Sequence, residues 1–175
     1  KNHVRVLHAI SDVLPTLLLS PSKYGWTPAH FAAFYGSLDV VLFLLEKAAP
    51  AFSIHDQNGY LAIHLAAVKN RVATIQALCV KAPEVILALT ATKKTLAHIA
   101  VQNGAVETFS YLLSREESLL TMQDEKGLLP LDYALASDGT RMWEAARLAT
   151  SDCNSEEHLW TKGARGRCVP GVLHI

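Results

Sequence analysis

The sequence predicts an all-α solenoid of stacked helix-turn-helix units with short β-hairpin-like turns, because one segment returns four times at a spacing of 34. The copies are Gly25-Trp-Thr-Pro-Ala-His-Phe-Ala-Ala, Gly59-Tyr-Leu-Ala-Ile-His-Leu-Ala-Ala, Lys93-Lys-Thr-Leu-Ala-His-Ile-Ala-Val and Gly127-Leu-Leu-Pro-Leu-Asp-Tyr-Ala-Leu. His30, His64, His98 and Asp132 form one column, and Ala32, Ala66, Ala100 and Ala134 another. A unit this small cannot bury an apolar face alone, so its copies must stack and share one core. The period divides the chain into 1–21, the second half of a truncated unit; 22–150, about four units with the last atypical; and 151–175, an irregular or disordered tail.

Residues 1–20 fit half a unit because Val6, Leu7 and Ile10 stand at the offset of Val40, Val41 and Leu44. More repeats are therefore expected upstream, and the first face is expected to be apolar and poorly capped. In the second unit Asp56-Gln57-Asn58-Gly59 makes a tight turn, in which Gly59 takes a positive φ at no steric cost. Thr27 is placed to cap the first helix of its unit and Pro28 fills its first turn, where a missing N–H costs nothing; Pro130 repeats the arrangement. First helices are expected to stop at Gly36, Asn70, Gly104 and Asp138, residue types that accept the left-handed conformation.

The second helices carry Leu38, Val41, Leu42 and Leu45; Val72, Ile75 and Leu78; and Val106, Phe109, Leu112 and Leu113 at helical spacing, which should seal one unit to the next. The alanine column keeps paired helices close, since a larger side chain there would cost about 1 to 3 kcal/mol. Lys93 breaks the glycine column: either the third turn is reshaped, or a lysine holds positive φ at about 1 kcal/mol. In the last unit Trp143, Ala146 and Arg147 replace Phe109, Leu112 and Leu113, a polar change expected to form a partial cap.

Zero formal charge gives no electrostatic reason to expect nucleic acid or an anionic membrane as partner. The longest apolar run, Val40 to Leu45, is far short of the roughly 20 residues that span a bilayer, so direct membrane insertion is not expected. Cysteines at 79, 153 and 168 are too scattered for a disulfide framework, which fits a reducing, intracellular and cytoplasmic setting. The chain starts at Lys1 without a secretory segment and reads as a fragment or a truncated gene model.

No phosphate-cradling glycine loop, nucleophile elbow, zinc-protease helix or Cys-x-x-Cys pair occurs, so no enzyme and no cofactor are expected. The histidines stand one unit apart, roughly 10 Å, too far to share a metal whose ligands sit near 2 Å. Their expected work is structural, a hydrogen bond to the turn or cap of their own or the neighbouring unit. Cys153, His158, Cys168 and His174 are the best zinc-compatible set, at irregular intervals, and no metal site is assigned to them. Cys79 lies in an apolar column and reads as a packing residue.

A turn followed by two short helices, opened by Thr27-Pro28-Ala29-His30, resembles the ankyrin repeat over residues 22 to about 150. The 34-residue period, the segments Leu44-Leu-Glu-Lys-Ala-Ala-Pro-Ala-Phe and Cys79-Val-Lys-Ala-Pro-Glu-Val, and the run Leu120-Thr-Met-Gln-Asp-Glu-Lys-Gly-Leu-Leu-Pro-Leu look like the accelerated-cell-death type of plant ankyrin protein. That family implies a role in defence or stress signalling, a C-terminal Pro-Gly-Gly membrane domain absent from this sequence, and a full-length form at the cytosolic face of the plasma membrane.

The ankyrin resemblance implies a concave face lined by finger tips and by the exposed side of the first helices. By column this face carries Phe34, Tyr35, Val68, Lys69, Gln102, Asn103, Ala136 and Ser137, with Tyr24, Trp26, Tyr60 and the doubly basic Lys93-Lys94 tip on the fingers. Phe34 and Tyr35 at normally polar positions are candidate anchors for a protein partner of unknown identity, or else pack on a flanking element. Thr27, Pro28, His30, His64, His98 and Asp132 are assigned to the repeat scaffold. Two functions compete: a protein-interaction module, expected as the cytosolic arm of a plant signalling protein, and a truncated remnant that self-associates.

Overall fold

The computed structural model describes residues 5, 9, 13–136, 160–162 and 168–170. Seven α-helices have both ends within them: α1 Pro28–Tyr35, α2 Leu38–Lys47, α3 Ala62–Val68, α4 Val72–Lys81, α5 Leu96–Gln102, α6 Val106–Arg115 and α7 Pro130–Ala136. They alternate as first and second helices of successive units. First helices stack on first helices, α1 on α3, α3 on α5 and α5 on α7, while second helices stack as α2 on α4 and α4 on α6. Arg5, Ala9 and Val13 are helical too, in the stretch aligned with a preceding second helix.

Each second helix hands over to a 3-10 turn, at Ala49–Ser53, Pro83–Leu87 and Glu117–Leu120, and Pro15–Leu19 stands at the same offset before the first full unit. These turns were not expected from the period alone. Pro15, Pro50 and Pro83 mark them, since proline cannot continue the preceding helix. The stops of the first helices follow the sequence: Gly36, Asn70 and Gly104 hold φ of 72°, 54° and 67°.

The core follows from the alanine column, whose members Ala32, Ala66, Ala100 and Ala134 are all buried. Val41, Ile75 and Phe109 form a second buried column on the second helices, and Leu44, Leu78 and Leu112 a third. Leu38 and Leu42 correct the expected sealing face. Both are exposed, because their side of α2 is the outer one shared with Asp39 and Glu46. At the offset of Leu42 the later units carry Gln76 and Ser110, which gives that column its solvent-facing character.

In the stretch expected to be irregular, β1 Trp160–Lys162 pairs antiparallel with β2 Cys168–Pro170, Thr161 facing Val169. Both are β-branched, the type that suits a pleated strand. Asp138, Trp143, Ala146, Arg147, Cys153, His158, His174 and Ser137 lie outside the described residues. No helix among the described residues is long and apolar enough to cross a membrane.

Candidate functional site

The histidine column is the hinge of each unit. His30 sits at the third position of α1, where its Nδ1 accepts the backbone N–H of Thr27 at 3.1 Å. Its Nε2 lies 3.1 Å from the carbonyl oxygen of Tyr60 in the next unit. A carbonyl only accepts, so Nε2 carries the proton and Nδ1 is bare: the two bonds require the neutral ring. His98 repeats the geometry with the Thr95 N–H at 3.2 Å and the Leu128 oxygen at 3.0 Å. His64 takes the Leu61 N–H at 3.0 Å and reaches the Ala88 oxygen at 3.2 Å.

Thr27 and Thr95 add hydroxyls 2.8 Å from their histidines, whereas Leu61 has none, so the second unit's helix start rests on His64. All three rings are fully buried. Burial lowers the pKa of each, and pushes that of His64 down from the usual 6.5 to about 4. Asp132 makes the equivalent cap bond, accepting the Leu129 N–H at 2.8 Å.

The fingers are built around inward-facing acids. Asp56 accepts the N–H groups of Asn58 and Tyr60 on Oδ1 and the Trp26 indole N–H on Oδ2, at 3.1 Å. Asp124 accepts from Lys126 and Leu128 on one oxygen and from the Tyr133 hydroxyl, at 2.6 Å, on the other. Burial opposes the Asp124 charge, but these donors outweigh it and hold the carboxyl below its usual range. Burial and the adjoining Asp124 push the Tyr133 hydroxyl up to about 12. The turn's own N–H groups draw both acids inward rather than leaving them as projecting tip charges.

The third finger keeps the common turn despite Lys93, which holds φ at 57° and donates its N–H to the Thr90 oxygen at 2.9 Å. Thr90 replaces the aspartate, its hydroxyl accepting the Lys94 N–H at 3.1 Å. Glycine is required elsewhere for a second reason. A Cβ on Gly25 would lie 2.8 Å from the Gln57 nitrogen, and one on Gly59 would fall on the Ala91 methyl, so neighbouring fingers stack on bare glycine.

Some of the candidate contact residues converge. The Trp26 ring stands 4.9 Å from Phe31 and 5.2 Å from Phe34, and Phe34 is 5.3 Å from Tyr35. The Lys69 ammonium lies 4.8 Å above the Phe34 ring. Tyr35 is 64% exposed and Tyr24 59%, with Lys23 over the Tyr24 ring. Other candidates face inward or along the surface. Tyr60 is half-buried edge-on to His64, Asn103 donates to the Ile99 oxygen at 2.8 Å, and Lys94 donates to Gln102 at 2.9 Å while lying over Tyr133. Lys93 and Gln102 are exposed.

Two residues were missed. Phe31 is 42% exposed although its column mates Leu65 and Ile99 are buried, because among the described residues no first helix precedes α1. Comparing the columns 31, 65 and 99 could have found it. Asn70 is the other: its Oδ1 accepts the N–H and hydroxyl of Thr108, at 3.0 and 2.9 Å, and its amide donates to Glu107. Thr108 is the third residue of α6, whose N-cap Ala105 has no side-chain acceptor. Asn70 thus caps a helix of the next unit, a role no local spacing announces.

Among the described residues no group of His, Cys, Asp or Glu could hold a metal. Cys79 is buried, and burial raises its thiol pKa. The polar groups of the histidines and finger acids serve the stack, and what faces outward is a surface of rings and lysines. That combination defines a repeat scaffold. A family model described as ankyrin repeats, in 3 copies, matches residues 3–88. The chain carries ankyrin repeats, and its fold is the all-α ankyrin solenoid.

The chain is 31% identical over 114 residues, 65% of its length and 11% of the relative's, to the SMC5-SMC6 complex localization factor protein 1 of Bos taurus. It is 35% identical over 92 residues, 51% of its length and 6% of the relative's, to the ankyrin and armadillo repeat-containing protein of Homo sapiens. The "Probable 26S proteasome regulatory subunit p28" of Saccharomyces cerevisiae is 30% identical over 117 residues, 66% of this chain and 51% of that protein. The chain therefore spans from under a tenth to about half the length of these curated relatives.

Proposed function

We propose that this chain is a protein-binding module whose contact face is formed by the fingers and the first helices. The observation that carries the reading is the aromatic cluster of Trp26, Phe34 and Tyr35, which reaches solvent through Tyr35. Exposed aromatics on a rigid scaffold are the side chains that dominate interface energy. Two relatives have names that associate them with protein assemblies, the SMC5-SMC6 complex and the 26S proteasome, which supports a binding role here. The reading assigns no catalysis to the chain.

Tyr35→Ala is the clean test, since Tyr35 is exposed and its loss leaves Trp26 packed on Phe34. Partners captured by the immobilised chain should be lost or weakened with the variant. Capture at unchanged affinity by both Tyr35→Ala and the Phe34→Ala/Tyr35→Ala pair would end the reading.

The finer proposal is a place in plant defence or stress signalling, as the cytosolic arm of a longer, membrane-linked protein. Its support is the likeness of the segments from Leu44, Cys79 and Leu120 to the accelerated-cell-death type. Sequencing the transcript across both ends tests it; a frame without apolar segments of about 20 residues ends it. A second reading, self-association, is favoured by the exposure of Val13, Leu14 and Leu17. Sedimentation showing a monomer at all concentrations would remove it.

A further inference from the structure

We propose that the contact face recognises an acidic peptide segment in extended form; this rests on the protein-binding reading above. Lys23, Lys69, Lys93 and Lys94 stand on the fingers and first-helix ends of the first three units. Among the described residues none of the four ammonium groups is paired with a carboxylate: Lys23 and Lys69 lie over rings, and Lys94 binds Gln102. Asp56, the acid beside them, is turned inward onto its own finger and Trp26. Glu125, exposed on the fourth finger, marks the edge of the basic stretch.

The second helices and the 3-10 turn after them expose Asp39, Glu46, Glu84 and Glu107, interspersed with Lys47, Lys81 and Arg115. On the finger side, by contrast, the exposed charges are mostly lysines. Adjacent units are about 10 Å apart, a distance an extended chain covers in about three residues. Carboxylates at every third residue would meet lysines of successive units, with apolar residues between them reaching Tyr35.

The ring geometry favours a peptide over a nucleic acid. Trp26, Phe31 and Phe34 pack against one another and Lys69 covers the Phe34 face, so stacking platforms for bases are not presented. Lysine ammonium groups suit single carboxylates met one per unit.

The test titrates the full chain with a fluorescent peptide about twelve residues long, carrying glutamate at every third position and leucine or tyrosine among the others. The same peptide with glutamine for glutamate, and a single-stranded oligonucleotide of equal charge, are run beside it. The glutamate peptide should bind saturably, at least about tenfold tighter than the glutamine one, and weaken steeply at high salt. Lys69→Glu with Lys93→Glu, both at exposed positions, should abolish that preference while keeping the native far-ultraviolet circular dichroism spectrum.

If the glutamine peptide binds equally well and still depends on Tyr35, the acidic-partner inference falls and the binding-module reading stands. Tighter binding of the oligonucleotide would make the face a polyanion site and overturn the inference. Absence of binding by all three probes also overturns it, and leaves partner capture with Tyr35→Ala to decide the broader reading.

Discussion

Lowering the pH from 7.5 to 5 should cost the stack about 2 kcal/mol through His64 alone. The unfolded histidine titrates near 6.5 and the folded one near 4, so at pH 5 protonation favours the unfolded chain by a factor of about 30, or about 2 kcal/mol. The stabilisation is complete above pH 6.5 and disappears as the pH falls toward 4, because the folded ring must stay neutral to keep both bonds. His30 and His98 are lowered in the same direction and add to the loss. Asp124, held below its ordinary 3.8, stays ionised throughout this window and does not contribute.

His64→Gln isolates the effect. Glutamine at the third helical position can still serve the Leu61 N–H, as in a capping box, but does not titrate. Urea unfolding of both proteins at pH 7.5 and pH 5, followed by far-ultraviolet circular dichroism, yields two stability differences. The advantage of wild type over His64→Gln should shrink by about 2 kcal/mol at the lower pH. A difference that stays constant would refute the neutral-lock argument.

Gly59→Ala should destabilise by more than Gly127→Ala, because both hold positive φ but only the former meets Ala91; Ala91→Gly should recover only part of the difference, read as denaturation midpoints, because the Ala91 backbone nitrogen, 2.9 Å from the added Cβ, remains. Lys93→Gly should leave the melting temperature equal or higher, since glycine relieves about 1 kcal/mol of left-handed strain and returns part of it in unfolded-chain entropy. Asn70→Gly should cost about 1 kcal/mol through loss of the α6 cap, and Asn70→Ala more, the extra being backbone strain measurable in the same urea series. Ala66→Leu should lower stability by about 1 to 3 kcal/mol, because Ala66 has no free surface.

The architecture was legible because its determinants repeat. His30, His64 and His98 share type, column and bonding pattern, so one physical argument served all three, and the left-handed stops at Gly36, Asn70 and Gly104 follow from residue type. The ambiguity at Lys93 was resolved by its hydrogen bond to Thr90, which repeats that of the glycine in the other fingers. What stayed hidden depends on phase or on partners far along the chain. A helical period alone admits Leu42 to either side of α2, and only the Gln76 and Ser110 below it fix the outer side. Asp56 looks like a surface charge until the Trp26 indole, 30 residues earlier, is placed beside it. Asn70 reads as a helix stop; its second duty, capping across the unit boundary, is visible only once α6 is packed against α4.

The cross-unit bonds of the histidines all run one way, from a ring to a carbonyl later in the chain. Detaching the last unit uncovers His98, which then charges readily in mild acid and lets go of its own cap at Thr95. Detaching the first leaves His64 sealed, since its acceptor belongs to the segment that follows. Acid should therefore unravel this array like a zipper opened from its C-terminal end, and amide exchange should spread from the fourth unit toward the second.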